Sequence, residues 1–353
     1  MNTLAPSLAP SPELFPHSLD LRADAIGFIR LDEAGCRAAS FLDERILRPT
    51  TVRHSMGWTE ADRALDSAGL RESCHFIFHV GHVGSTLVSR LLGGLEGVFA
   101  LREPAVLRTL AQIRAEAANA PPVWVGESYE RRTATLLKLL SRTFRPEDRA
   151  VIKATSFVSE LAPEWLSRPE KPRAILMFVS PESYLATILG GENAPQEARA
   201  LAPSRLVRLK SRLGAEISRL ESLTIGEVVA MSWACEMTAL VAAKRSAGER
   251  ALLFDFDAFL CDPHTLLLHA VRHLDIAASP DSIHSVITGP DMRRYSKAPE
   301  HAYDANLRRD VLNQARALSG DDIKCGRSWL DALARDHRIV AEAMSLVHSS
   351  ARP

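Results

Sequence analysis

The chain has 353 residues, with 43 Lys and Arg against 43 Asp and Glu. A formal net charge of zero excludes a nucleic-acid coat or an acidic tail as its dominant character. Hydrophobic residues at 46% and charged residues at 24% exclude wholesale disorder.

This length suits two domains of about 150 residues or one large α/β domain with appendages. Cys36, Cys74, Cys235, Cys261 and Cys325 are too widely spaced for a zinc or thioredoxin pair and read as free thiols in a reducing compartment. The opening residues lack the basic start and apolar stretch of a secretory signal. No apolar run reaches the ~18 residues needed to cross a bilayer. A soluble cytoplasmic protein is expected, without nucleic-acid or membrane partners.

Residues 1–19 carry Pro6, Pro10, Pro12 and Pro16 and read as a flexible lead-in. A short strand at Gly27–Leu31 and a helix starting near Thr59-Glu60-Ala61-Asp62 follow, and residues 1–70 form an N-terminal extension. His75–Val80 is short, aromatic and β-branched, which predicts a strand. Further strands are expected at Val98–Leu101, Ala150–Lys153, Ala174–Val179 and Ala251–Phe254. Helical spacing lies between them near 104–118, 127–143, 181–190, 204–222 and 225–247. Strands alternating with helices predict a P-loop-type, three-layer α/β fold, with a central parallel sheet of about five strands flanked by helices. Its core spans 71–290, and 291–353 supplies a closing loop and helices near 303–318 and 327–347.

The chemistry concentrates after the first core strand, in Gly81-His82-Val83-Gly84-Ser85-Thr86. Glycines let a backbone curl around an anion, and a helix N-terminus adds partial positive charge. A plain strand-to-helix turn capped by Ser85 or Thr86 fits the same residues. A nucleotide-hydrolysing P-loop would need Lys where Ser85 stands, which argues against an ordinary ATP or GTP site. His75, His79 and His82 have no acid or Cys at ligand spacing, so no metal is expected.

Several segments then resemble the sulfotransferase family. Gly81–Thr86 resembles the 5′-phosphosulfate loop, P-K-S-G-T-T, with Gly84, Ser85 and Thr86 in place. Ser180–Thr187 resembles the 3′-phosphate loop, Phe256-Asp257-Ala258-Phe259 with Asp262-Pro263 resembles Y-E-D-L…D-P, and Lys153 resembles the start of K-T-H. Arg293, Arg294, Tyr295, Ser296 and Lys297 stand where the family places a nucleotide-closing loop. The resemblance implies transfer of a sulfuryl group from 3′-phosphoadenosine-5′-phosphosulfate (PAPS) to a hydroxyl or amine of a small-molecule, glycan or peptide acceptor.

It also implies that Gly81, His82, Val83, Gly84, Ser85, Thr86, Ser180, Thr187, Arg294 and Lys297 bind the nucleotide, and that His82, Glu103 and Lys153 are catalytic. The pattern departs at three places: the loop Lys is His82, the 3′-phosphate Arg is Ser180, and the base of K-T-H falls on Thr155. A protonated His82 would still donate to phosphate oxygens. Glu103, in Leu101-Arg102-Glu103-Pro104, is the candidate base, although a first-turn acid at a helix start reads the same way. Arg90 reads as an exposed or bridging residue on the first helix and Asp257 as a structural loop acid. The acceptor region is expected over 104–145 and 190–225. Two other readings stay open: a phosphotransferase using ATP with Asp255 as a metal-binding acid, and a non-catalytic nucleotide-binding member.

Overall fold

A computed structural model describes residues 11–116, 124–296 and 300–350, with side chains to 347. Its first unit is an antiparallel sheet of β1 (Leu14–Asp20), β2 (Ala25–Arg30) and β3 (Arg53–Gly57), in that order. The expected lead-in is therefore wrong from Leu14 onward. Proline content misled: Pro16 sits on an edge strand where the register shifts between Pro16 and Ser18, so its missing N–H breaks no ladder. Buried Arg142 ties this start of the chain to the core, donating to the carbonyls of Ser11 at 2.8 Å and Leu14 at 2.6 Å. Helices α1 (Glu33–Ala38) and α2 (Trp58–Ser67) complete the unit.

The second sheet is parallel throughout, in the order β5 (Val98–Arg102), β6 (Arg149–Lys153), β4 (His75–His79), β7 (Ala174–Phe178), β8 (Ala251–Asp255). All five expected strands are present. Their residues are almost uniformly buried, as a sheet covered on both faces requires. The connecting helices are α3 (Ser85–Gly93), α4 (Ala105–Ala115), α5 (Gly126–Leu140), α6 (Ala162–Leu166), α7 (Pro181–Leu189), α8 (Ala194–Leu213) and α9 (Ile225–Ala247). After β8 come α10 (Phe256–Cys261), α11 (Pro263–His273), α12 (Pro280–Thr288), α13 (Ala305–Leu318), α14 (Gly320–Asp336) and α15 (Arg338–Ser350).

Helix α9 occupies its expected limits, because Thr224 and Glu227 form a reciprocal capping box at its start. By length and composition it would pass for a membrane span, yet 83% of its apolar window is buried within the fold. Helix α8 departs from the expected 204–222. It runs through Pro203 and stops where Gly214 turns left-handed at φ 63°. The expected helix 327–347 is two, α14 and α15, broken at His337. Parallel strands feeding helices bring the loops after β4, β5 and β6 to one edge of the sheet, and the site lies there.

Candidate functional site

Strand β4 ends at His79, and the chain then turns through three left-handed residues, Gly81 (φ 86°), His82 (φ 53°) and Gly84 (φ 63°), into α3. Gly84 has a second reason to be glycine: a Cβ there would overlap the Phe256 ring. Among the described residues, none accepts a hydrogen bond from the amides of His82, Val83, Gly84, Ser85 or Thr86. The loop thus closes around uncommitted N–H groups at the positive end of a helix. Thr86 is 1% exposed, and its Oγ1 is buried with no partner in the protein. A buried hydroxyl left unpaired is costly, and an anion held in the loop would satisfy it.

These residues form one wall of a pocket of about 870 Å³, measured with the open solvent at its mouth. Opposite them lie apolar and aromatic side chains: Phe256, Leu260, Met292, Tyr295 and Tyr303. Tyr295 and Tyr303 meet edge to face with ring centroids 5.5 Å apart. They are held by a short antiparallel bridge, Arg294 with Ala302, and by bonds from Tyr295 N to His301 O (2.8 Å) and Tyr303 N to Arg293 O (3.0 Å). Arg90 anchors this arm by donating to the Ser296 carbonyl at 3.0 Å while also reaching Ser40, which fits the bridging role expected of it.

Two arginines line the pocket beside Lys153. Arg294 was expected; Arg308 was not. Arg308, on α13, is 6% exposed, donates to Asp257 Oδ1 at 2.9 Å, and lies 5.3 Å over the Phe256 ring. The sequence signal was divided between Asp257, read as structural, and an amphipathic helix fifty residues later, so nothing local joined them.

Glu103 stands at the pocket's inner end. It is left-handed at φ 54°, although it precedes Pro104 and carries a side chain. Strain of this kind, about 1–3 kcal/mol, is typical of functional positions. The turn is fixed because the Glu103 amide donates to the Lys153 carbonyl at 2.7 Å, continuing the β5–β6 ladder. Lys153, 1% exposed, pairs with Glu103 Oε1, and Thr155 Oγ1 lies 3.4 Å from Oε2. His82 Nε2 is 3.7 Å from Glu197 on α8, an ion pair when the imidazole is protonated.

On the far side of Glu103 opens a larger cleft, about 2310 Å³ with its open solvent. Its walls include Phe41, Arg45, Arg108, Phe157 and the buried triad of Glu236 with Arg205 and Arg208. Helices α4 and α8 line it, within the expected 104–145 and 190–225, but no residue of α5 does. The loop at Phe41–Arg45 and Glu236, inside α9, were not anticipated. The pocket and the cleft share His79, His82 and Glu103, so they meet at these residues.

The expected site residues therefore divide. His82, Val83, Gly84, Ser85, Thr86, Thr187, Glu103, Lys153 and Arg294 converge on the pocket. Gly81 does not offer its amide to an anion: that N–H is bonded to His79 Nδ1 at 3.0 Å, and Gly81 lines the cleft instead. Ser180 also lies outside the pocket lining. Its Oγ caps α7 by accepting from the Ser183 amide at 3.1 Å, because a serine before a proline at N1 is a helix-start signal first. Lys297 lies outside the described residues. Asp255 caps α10, accepting from the Asp257 amide at 2.8 Å and the Ala258 amide at 3.3 Å, and is absent from the pocket lining. Asp257 pairs with Arg308 and so has the structural part expected of it.

No family model matches the chain, and no curated protein matches it. Among solved structures it is similar to a sulfotransferase domain from the curacin biosynthetic pathway, at 13% identity over 71% of this chain and 98% of that one, with a TM-score of 0.38. It is similar to the sulfotransferase domain of the Synechococcus PCC 7002 olefin synthase, at 12% identity over 74% and 95%, TM-score 0.38. Sulfotransferase STF9 from Mycobacterium avium is similar at 12% identity over 73% and 81%, TM-score 0.36. All three of these structures are sulfotransferase domains.

Proposed function

We propose that this chain is a sulfotransferase-type enzyme that binds PAPS in the pocket and passes its sulfuryl group to an acceptor in the cleft. The observation that carries this reading is the set of five uncommitted amides at the start of α3, facing a pocket with an aromatic wall. An anion on those amides, a base between Phe256 and the two tyrosines, and a second phosphate near Arg308 or Arg294 would use every unusual feature of that pocket.

The chemistry follows from what meets at the junction. The loop amides bind the phosphosulfate and stabilise charge gathering on the leaving phosphate. His82, when protonated, donates to that phosphate, with Glu197 as its counter-ion. Glu103 is the group within reach of both hollows that can accept the acceptor's proton as the hydroxyl or amine attacks sulfur. Lys153 is a positioning residue, since it engages the carboxylate oxygen Oε1, while Oε2 accepts a long bond from Thr155 Oγ1. The protein groups supply the positive charge that the transfer needs.

Magnesium-dependent phosphoryl transfer has less support. The loop has no lysine at Ser85, and Asp255, the acid suited to a metal, is committed to capping α10. Calorimetry with 3′-phosphoadenosine-5′-phosphate (PAP) and with Mg·ATP tests the reading. PAP binding in the micromolar range with weaker ATP binding is expected. No PAP binding at millimolar nucleotide would overturn it.

A further inference from the structure

His79 belongs to both hollows, as His82 and Glu103 do, yet it takes no part in the transfer step. It is 5% exposed, and its backbone is fixed: it pairs with Met177 across β4 and β7, and its carbonyl lies 3.5 Å from Ser159 Oγ. The ring therefore sits in one place. Its Nδ1 accepts the amide hydrogen of Gly81 at 3.0 Å. A side chain that accepts from the N–H two residues on reproduces the Asx-turn, the local device that bends a chain.

Two consequences follow. The bond holds Gly81 at φ 86° and turns its amide into the ring, so the uncommitted amides begin at His82. An accepting Nδ1 carries no proton, so the neutral ring bears its hydrogen on Nε2.

We infer that His79 is a positioning residue: its Nδ1 shapes the anion loop through Gly81. The inference rests on the sulfotransferase reading for the identity of the anion. The loop-shaping role itself rests on the Gly81 bond alone.

Asn places an amide oxygen where Nδ1 stands and is the usual residue of this turn, whereas Gln places its polar end further out. In the full chain, His79→Asn is expected to bind PAP within about threefold of wild type. His79→Gln and His79→Ala are expected to bind at least about tenfold more weakly, one hydrogen bond's worth. Circular dichroism melts of the Asn and Gln variants separate these effects from misfolding. Nitrogen-15 NMR of the imidazoles should show His79 as the Nε2–H tautomer at neutral pH. Equal PAP affinity in the Asn and Gln variants, or an Nδ1–H tautomer, would overturn the inference. Absence of PAP binding by wild type would overturn the sulfotransferase reading, while the tautomer still decides the role of Nδ1.

Discussion

Glu103 and Lys153 are joined twice. The Glu103 amide donates to the Lys153 carbonyl at 2.7 Å, and the Lys153 ammonium donates to the Glu103 carboxylate. The backbone bond places the acid, and the side-chain bond aims it. Because Lys153 also lies 5.4 Å from the Phe41 ring, the pair connects the sheet edge to the wall of the cleft.

Glu103→Gln keeps the shape and an acceptor for Lys153 but removes the proton acceptor. Turnover should fall by about 10²–10⁴-fold with PAP affinity nearly unchanged. Initial rates and calorimetry on the same preparation check this. Full activity in the variant would remove Glu103 as base.

Glu103→Ala leaves a fully buried ammonium without its anion. A loss of roughly 3–5 kcal/mol against wild type is expected in urea unfolding, with a smaller loss in Glu103→Gln, whose amide oxygen still accepts from the ammonium. If the Ala variant unfolds at the wild-type urea concentration, the ion pair contributes little to stability.

Gly84→Ala forces a left-handed alanine into the face of Phe256. Destabilisation of about 2–4 kcal/mol and loss of PAP binding are expected. Adding Phe256→Ala should recover the steric part of the stability loss, so the two changes should be markedly non-additive in a double-mutant cycle.

Arg308→Ala removes a buried cation from the pocket and frees Asp257 to repel a phosphate. PAP affinity should fall by about 10–100-fold, the loss of a hydrogen bond to a charged group. Affinity for an analogue lacking the 3′-phosphate should change much less. Equal losses for both nucleotides would place Arg308 away from that phosphate.

His75, at the other end of β4 from the site, makes stability depend on pH. Burial, with Arg149 and Arg173 adding to it, lowers its pKa from 6.5 to about 4. The unfolded chain binds this proton first, so His75 contributes full stability above about pH 6.5, and that contribution is lost as pH falls toward 4. Roughly 3 kcal/mol is at stake over this window. His75→Asn keeps an acceptor for the Arg173 amide, 3.2 Å away, and should flatten the dependence in urea melts from pH 7 to 4.5. An unchanged slope would assign the acid sensitivity to other groups.

Much of the fold was legible because it is written locally. The five core strands are uninterrupted apolar runs, and α9 carries its own capping box. Gly84 and Ser85, singled out by their spacing, line the pocket. Errors arose where a local signal had two uses. Pro16 suggested a lead-in but sits at an edge bulge, and Ser180 suggested a phosphate ligand but caps α7. Gly81 suggested an anion donor, yet its amide is taken by a ring two residues back.

The sequence by itself determined the order of strands and helices, the bend after His79 and the presence of Glu103 beside a proline, since each depends on neighbours within a few residues. Only the tertiary structure decided that Arg308 pairs with Asp257 inside the pocket, that Phe256 closes under Gly84, and that Lys153 holds Glu103 between two hollows. Those contacts join residues roughly fifty or more positions apart, and no local periodicity or propensity encodes which distant side chains a folded sheet brings within a few ångströms.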